Sequence, residues 1–373
     1  MLGTDAAKEN EKNSMNRATN LITRREALKL GMAAVASAAG GGVTSKAAAQ
    51  EQAQPSRIRA YSWVRGFNYQ PSWGSHGITI WNDFREATFA KEVELGLKHF
   101  PKLNTLRLWF SYDAHVADPK RFLAAAKRAA GLLAERKVKM IPVIFNGWHS
   151  TVDFGGFSSE QLASSSRQKF AAQRQYLCEL LEAIRPADNL LMYDIANEPF
   201  NNGGKDNPGS IQVKFLEAMA RQIRELDSKT PLSVGTQGCP GVGGPKDLDL
   251  IDSFVDVHAV HPYWIPSMVS AEEHTKNFAQ LVEHLERLGK PAIATECCWG
   301  ANDDEKRVQY IRHDLGLLKQ AGIGFLPHAL HHSPVADLHR PVPGRKFQTM
   351  YMAFIEPDGT IRPGHEIFNE FCS

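Results

Sequence analysis

The chain has 373 residues, 43% of them hydrophobic and 23% charged, the composition of a soluble globular protein rather than a disordered or fibrous one. A formal net charge of +2 gives no bias toward nucleic acid or anionic lipid, so neither is expected as a partner. Five cysteines (Cys178, Cys239, Cys297, Cys298 and Cys372) show no metal-ligand spacing, and an odd number cannot all pair within one chain. Adjacent Cys297 and Cys298 are expected on opposite sides of an extended segment, with at most one facing a pocket.

In chain order, residues 1–49 come first and differ in character. Arg24-Arg25 precedes an uncharged stretch from Leu30 to Ser45, which leads to Ala47-Ala48-Ala49. The order resembles a twin-arginine export signal with a small-residue cleavage site, implying the twin-arginine machinery as a partner of the precursor and a periplasmic or extracellular destination. Four glycines interrupt the stretch, which falls short of the roughly 20 apolar residues that span a bilayer, so stable membrane insertion is not expected. Residues 50–60 read as a linker, and 61–373 as one domain.

Within that domain, short apolar strands are predicted near Gly66–Tyr69, Thr105–Phe110, Lys139–Phe145, Leu190–Ala196, Leu232–Thr236, Val255–His261, Ala292–Thr295 and Ile323–His328. Between them, helices fit Pro119–Arg136, Arg167–Ile184, Ile211–Asp227, Ala271–Leu288 and Glu305–Gln320, where apolar residues recur at three- and four-residue steps. Eight alternations predict an α/β fold, a single-domain (β/α)8 TIM barrel, with Val-, Ile- and Leu-rich strands covered on both faces. The connection from Gln70 to about Phe89 reads as an insertion on the active-site side. Strand alternation puts Thr105, Arg107 and Trp109 on one face, Val257, Ala259 and His261 on another, and Ala294 with Glu296 on a third.

Two carboxylates close two of these strands: Asn197-Glu198-Pro199 after the fourth, and Glu296 after the seventh. Hydrolysis of a glycosidic bond with retention needs one carboxyl to protonate the leaving oxygen and a second, about 5–5.5 Å away, to attack the anomeric carbon. Trp73, Trp81, Trp109, Trp148, Trp264 and Trp299 all fall at or just beyond strand ends, where barrel active sites sit, and flat sugar faces stack on such rings.

The residues from about 61 to 371 resemble glycoside hydrolase clan A, most closely family 5, the cellulase and mannanase-like retaining β-glycosidases. The resemblance rests on Arg65-Gly66-Phe67-Asn68-Tyr69, Asn104-Thr105-Leu106-Arg107, Asn197-Glu198-Pro199, His261-Pro262-Tyr263, Glu296 and the closing Asp358-Gly359-Thr360-Ile361-Arg362-Pro363. It implies a β-linked oligo- or polysaccharide substrate of the mannan or glucan type and no cofactor. It also implies Glu198 as acid/base, Glu296 as nucleophile and Asn197 as the group that binds the sugar 2-hydroxyl. Arg107 and Tyr263 would hold the nucleophile ionised, with His261 ordering the carboxylates. One departure stands out: many members carry a Trp after strand eight, where this chain has Leu326-Pro327-His328-Ala329-Leu330. Trp299 is the platform expected in its place, and His328 is expected among the substrate-binding residues.

Two other functions fit parts of the pattern. A noncatalytic glycan-binding barrel would share the fold, since fold and motif do not establish turnover. A metal-dependent barrel hydrolase would use His258, His261, His328, His331 and His332, but His258 and His261 lie three apart on a strand and face opposite ways.

Overall fold

The computed structural model describes residues 56–145, 157, 159–200, 210–236, 245–334 and 350–373, all within one unit, Gln54–Ser373. The proposed export signal and Trp148 lie outside the described residues.

The apolar runs form eight strands: Gly66–Tyr69 (β1), Thr105–Trp109 (β2), Lys139–Phe145 (β3), Tyr193–Asn197 (β4), Leu232–Thr236 (β5), His258–Val260 (β6), Ala292–Ala294 (β7) and Gly324–Phe325 (β8). All pair in parallel and in sequence order. A bridge between Arg65 and Phe325, with Asn68 N donating to Pro327 O at 3.0 Å, joins the last strand to the first. Around this (β/α)8 barrel run helices Gly77–Trp81 (α1), Glu86–His99 (α2), Tyr112–Ala117 (α3), Pro119–Glu135 (α4), Ser159–Ser166 (α5), Ala171–Ile184 (α6), Ile211–Leu226 (α7), Lys246–Ile251 (α8), Ala271–Leu288 (α9) and Asp304–Ala321 (α10). Side chains start several of them: Asp118, Ser210, Ser270 and Asp303 each accept from the backbone N–H three residues on, satisfying a donor that the first turn leaves free. The insertion after β1 contains α1.

Two apolar layers result from the strand period of two. Outward residues pack against the helices, Phe67, Leu106, Ile144 and Ile195 among them. Inward residues Val64, Ile141, Met192, Val257, Ala259, Ile293 and Leu326 fill the lower lumen as a separate cluster. Two residues further along three of these strands, Asp194, His261 and Thr295 stand above that plug. The lumen is therefore apolar below and polar above, at the carboxyl ends of the strands, where barrel sites are built. Among the described residues no helix is long and apolar enough to cross a membrane.

Several predicted strands are longer than the paired ones. β7 ends at Ala294, and the inward residue on it is Ile293, not Ala294 as alternation from Glu296 suggests. A bend at Thr295 and Glu296 breaks the period, so both side chains turn toward the centre. Cys297 and Cys298 do not point to opposite sides: Cys298 has φ +68°, and this left-handed turn brings the two Sγ atoms within 3.7 Å, both buried.

Candidate active site

Arg107, in the middle of β2 and fully buried, is the hub of the upper lumen. Its guanidinium donates from Nε to Asp194 Oδ2 at 2.9 Å, from Nη1 to Asn68 Oδ1 at 2.9 Å and Glu296 Oε1 at 2.5 Å, and from Nη2 to Asn197 Oδ1 at 2.7 Å. A buried cation is tolerated only when paired and hydrogen-bonded, and two carboxylates with two amide oxygens do this. Those acceptors are fixed in turn. Asn68 donates through Nδ2 to Thr295 O and Leu326 O, at 2.7 and 2.9 Å, and Asp194 Oδ1 accepts from Gly235 N at 2.9 Å. β1, β4 and the turn after β7 thus meet on this side chain of β2, and β5 braces one of the acceptors.

The fourth strand delivers Asn197 and Glu198 through two local departures from regular geometry. A register shift between Asp194 and Asn197, against β5, lets Asp194 and Asn197 face the same cavity although three residues apart. Glu198 then adopts φ +44°, left-handed for a residue with a Cβ, at a cost on the order of 1–3 kcal/mol. Its amide donates to Gly235 O at 2.8 Å, which holds the turn. Its carboxylate meets His261 Nδ1 at 2.7 Å, while His261 Nε2 lies 3.1 Å from Thr295 Oγ1.

Glu296 is 5% exposed, with Arg107 on one oxygen and Tyr263 Oη donating to the other at 2.7 Å. Burial pushes its carboxyl up, but His261, Arg107 and the Tyr263 hydrogen bond outweigh burial and hold it well below the usual carboxylate range. One oxygen of Glu198 and one of Glu296 lie within 4.8 Å of each other, with His261 Nδ1 between them, 3.7 Å from Glu296 Oε2. Glu198, His261 and Glu296 have ligand-like spacing, yet the guanidinium on Glu296 already supplies the positive charge an added cation would bring. His258 turns to Asp252 at 3.1 Å, and His331 to the carbonyl of His332 at 2.9 Å, so these histidines of the metal-dependent alternative turn away from one another among the described residues.

The loops after β7 and β8 are fastened by Arg307 of α10, fully buried, whose guanidinium donates to the carbonyls of Cys298, Trp299, His328 and Met352. Trp299 stands edge-on to Tyr263, the donor to Glu296, with ring centroids 5.3 Å apart. His328 follows β8 by three residues, its ring 5.6 Å from that of Trp109, and Trp109 in turn lies under the Arg107 guanidinium at 5.4 Å. Burial lowers the His328 imidazole to about 4, with Glu296 pulling the other way, so the ring is neutral near pH 7. Trp109 Nε1 and His328 Nε2 are buried and find no hydrogen-bond partner among the described residues.

Other aromatic expectations fare differently. Trp264 packs on α10, against Tyr310 and His313, and donates to Val269 O at 3.0 Å; Trp73 packs on Phe84 and donates to Ile80 O at 3.2 Å. Both serve as loop anchors by these contacts. Trp81 is buried against Phe110 and belongs to the outer core. Gly235 is not among the residues the sequence marks for the site, although a glycine inside the strand Leu232-Ser233-Val234-Gly235-Thr236 is the signal for a close approach of neighbouring groups.

The sequence profile of the cellulase family (glycosyl hydrolase family 5) matches residues 83–332. No curated protein sequence matches the chain. Similar solved structures include the exo-β-1,4-mannosidase Op5Man5 from Opitutaceae bacterium strain TAV5, at 20% identity and TM-score 0.65, covering 82% of this chain and 58% of that one. This chain therefore spans little more than half of that protein's length. An endo-β-1,4-mannanase from Thermotoga petrophila matches at 16% identity and TM-score 0.59, over 85% of this chain and 78% of that one. A family 5 mannosidase from Rhizomucor miehei matches at 11% identity and TM-score 0.60, over 83% and 93%. At these identities the structural likeness speaks to the barrel fold.

Proposed function

Because the chain belongs to glycosyl hydrolase family 5, and so is a glycosidase, we propose that it cleaves β-linked oligo- or polysaccharides by double displacement, with Glu296 as nucleophile and Glu198 as acid/base. The observation that carries this reading is the approach of the two carboxylates to within 4.8 Å. An inverting enzyme keeps its carboxyls about 6.5–9.5 Å apart to leave room for a water, whereas a retaining one holds them about 5–5.5 Å apart, one at the anomeric carbon and the other at the leaving oxygen.

In the first step an oxygen of Glu296 forms a bond to the anomeric carbon as the glycosidic C–O bond breaks, and the Glu198 proton passes to the leaving oxygen. In the second, Glu198 takes a proton from water, whose oxygen attacks the anomeric carbon and frees Glu296. Arg107 and Tyr263 keep Glu296 ionised and aimed. Asn197 accepts from Arg107 through Oδ1, which leaves its amide nitrogen as the donor to a sugar hydroxyl. Trp299 supplies the stacking face. His328 and Trp109 pack together where many family members carry the strand-eight Trp, so the stacking face rests on Trp299. β-Mannosides are the first substrates to test, since the neighbours named above are described as mannosidases and a mannanase.

A fluorinated mechanism-based β-mannoside or β-glucoside should label Glu296, with the peptide identified by mass. Labelling at another residue, or release of the inverted anomer from a normal substrate, overturns the assignment. Binding of glycans without any product would instead establish a noncatalytic barrel.

A further inference from the structure

Away from the carboxylates, α9 and α10 meet over a second group of chemically active side chains. His274 lies in the first turn of α9, and His313 and Asp314 in the middle of α10. His274 Nδ1 and His313 Nε2 are 3.0 Å apart. A carboxylate oxygen of Asp314 completes a triangle whose three atoms all lie within 4.8 Å of one another.

Asp314 is the residue that needs an explanation. It is 1% exposed, and its carboxylate accepts from the amides of Cys298, at 2.8 Å, and Trp264, at 3.3 Å, but forms no salt bridge among the described residues. Arg307, on the same helix, spends its guanidinium on backbone carbonyls. Buried charges in proteins are paired or coordinate a metal, and the two amides leave this carboxylate without a counter-charge. His274 is also 1% exposed, and the nitrogen it turns into the triangle is Nδ1. His313 is only half-buried and gives the group a side open to the surface.

We propose that His274, His313 and Asp314 form a binding site for one divalent transition-metal ion, zinc by preference. Two imidazole nitrogens and one carboxylate oxygen are a ligand set that zinc takes readily. Two ligands at about 2.0–2.1 Å from a tetrahedral ion stand about 3.3 Å apart, close to the separation of the two imidazole nitrogens. A water molecule completes the fourth position. The ion neutralises Asp314 while that carboxylate goes on accepting from Trp264 and Cys298, the residues that follow Tyr263 and Glu296 by one and two positions. It acts as a tie between the loops after β6 and β7 and takes no part in bond cleavage, so the site stands or falls independently of the glycosidase reading.

The test uses the full chain without a histidine tag, stripped with a chelator and titrated with zinc against a competing chelator. One zinc per chain, bound in the micromolar range or tighter, raises the melting midpoint through its preference for the folded state. His313→Ala, at a half-exposed position, and His274→Gln each weaken binding by at least about 100-fold. Cobalt in place of zinc gives the intense visible bands of a tetrahedral site in the wild type and loses them in His313→Ala. Absence of stoichiometric zinc, a pale octahedral cobalt spectrum, or full affinity in the folded His313→Ala variant overturns the proposal and leaves the two imidazoles joined by a simple hydrogen bond.

Discussion

Arg107 packs where a side chain at Gly235 would begin: a Cβ at position 235 would lie 2.9 Å from Arg107 Nη2, 2.9 Å from His261 Nε2 and 3.2 Å from Asp194 Oδ2. The strand-five backbone is thus one wall of the slot that holds the guanidinium against Glu296. Gly235→Ala should leave the barrel folded but displace Arg107 or His261 by a few tenths of an ångström or more. Misplacement of catalytic groups costs about 10²-fold in the extreme, so kcat/KM is expected to fall by about 10- to 100-fold. Steady-state kinetics beside a melting curve will check this, and unaltered kinetics would show that the slot relaxes freely.

Removal of the Glu198 carboxyl should separate the two chemical steps. In Glu198→Ala, substrates with poor leaving groups are expected to lose about 10²–10⁴-fold in rate, while activated aryl glycosides still form the glycosyl-enzyme. Azide, which needs no general base, should then release a β-glycosyl azide, and Glu296→Ala should yield none. The strained backbone adds a second readout: at φ +44°, Glu198→Gly should be more stable than Glu198→Ala by about 1 kcal/mol. Equal stability would mean that the turn opens when the carboxylate is absent.

Tyr263→Phe deletes one donor to Glu296 without touching Arg107. Since a hydrogen bond to the ionised form lowers a carboxyl pKa, its loss should raise that of Glu296 toward the ordinary range. The acid limb of kcat/KM should move to higher pH, with a loss of about 10- to 100-fold at the optimum. An acid limb that stays in place would assign that limb to another group.

Stability should weaken in mild acid. Burial lowers His258 and His328 to about 4, and His365 to about 3. The unfolded chain protonates these rings near 6.5, so it binds protons that the folded chain refuses, and the stabilisation present above that pH is lost as the pH falls toward 4. Each ring contributes up to about 1.4 kcal/mol per pH unit in that window. Melting midpoints measured from pH 7.5 down to 4.5 should decline from about 6.5, and a flat profile would contradict the assignment.

Export is open to a direct experiment on the sequence alone. Exchange of Arg24 and Arg25 for lysine should keep the precursor in the cytoplasm, as fractionation and the size of the product will show. Normal export of the lysine variant would remove the twin-arginine reading.

The strand order and the barrel were legible because parallel strands buried on both faces read as apolar runs, and the intervening helices keep their three- and four-residue period. Glu198 and Glu296 could be placed at strand ends for the same reason. What escaped was whatever breaks the period. The shift between Asp194 and Asn197, the bend at Thr295 and the left-handed turn at Cys298 are each set by contacts with groups far away in sequence, Gly235 and Asp314 among them. A hydrophobic pattern carries no trace of such partners. Trp264 and Trp73 were legible as loop aromatics but not in direction, because a ring has as much area to bury against a neighbouring helix as against a sugar.

Arg307 gives the barrel rim an uneven capacity for change. With four carbonyls drawn from three stretches of chain fastened to one guanidinium, a single substitution there would strand several acceptors at once, and each buried acceptor left unsatisfied costs about 1–3 kcal/mol. The residues next to those carbonyls are therefore poor places to redesign. New substrate preferences should instead be sought on rim segments that Arg307 does not hold, such as the connection after β1 that contains α1.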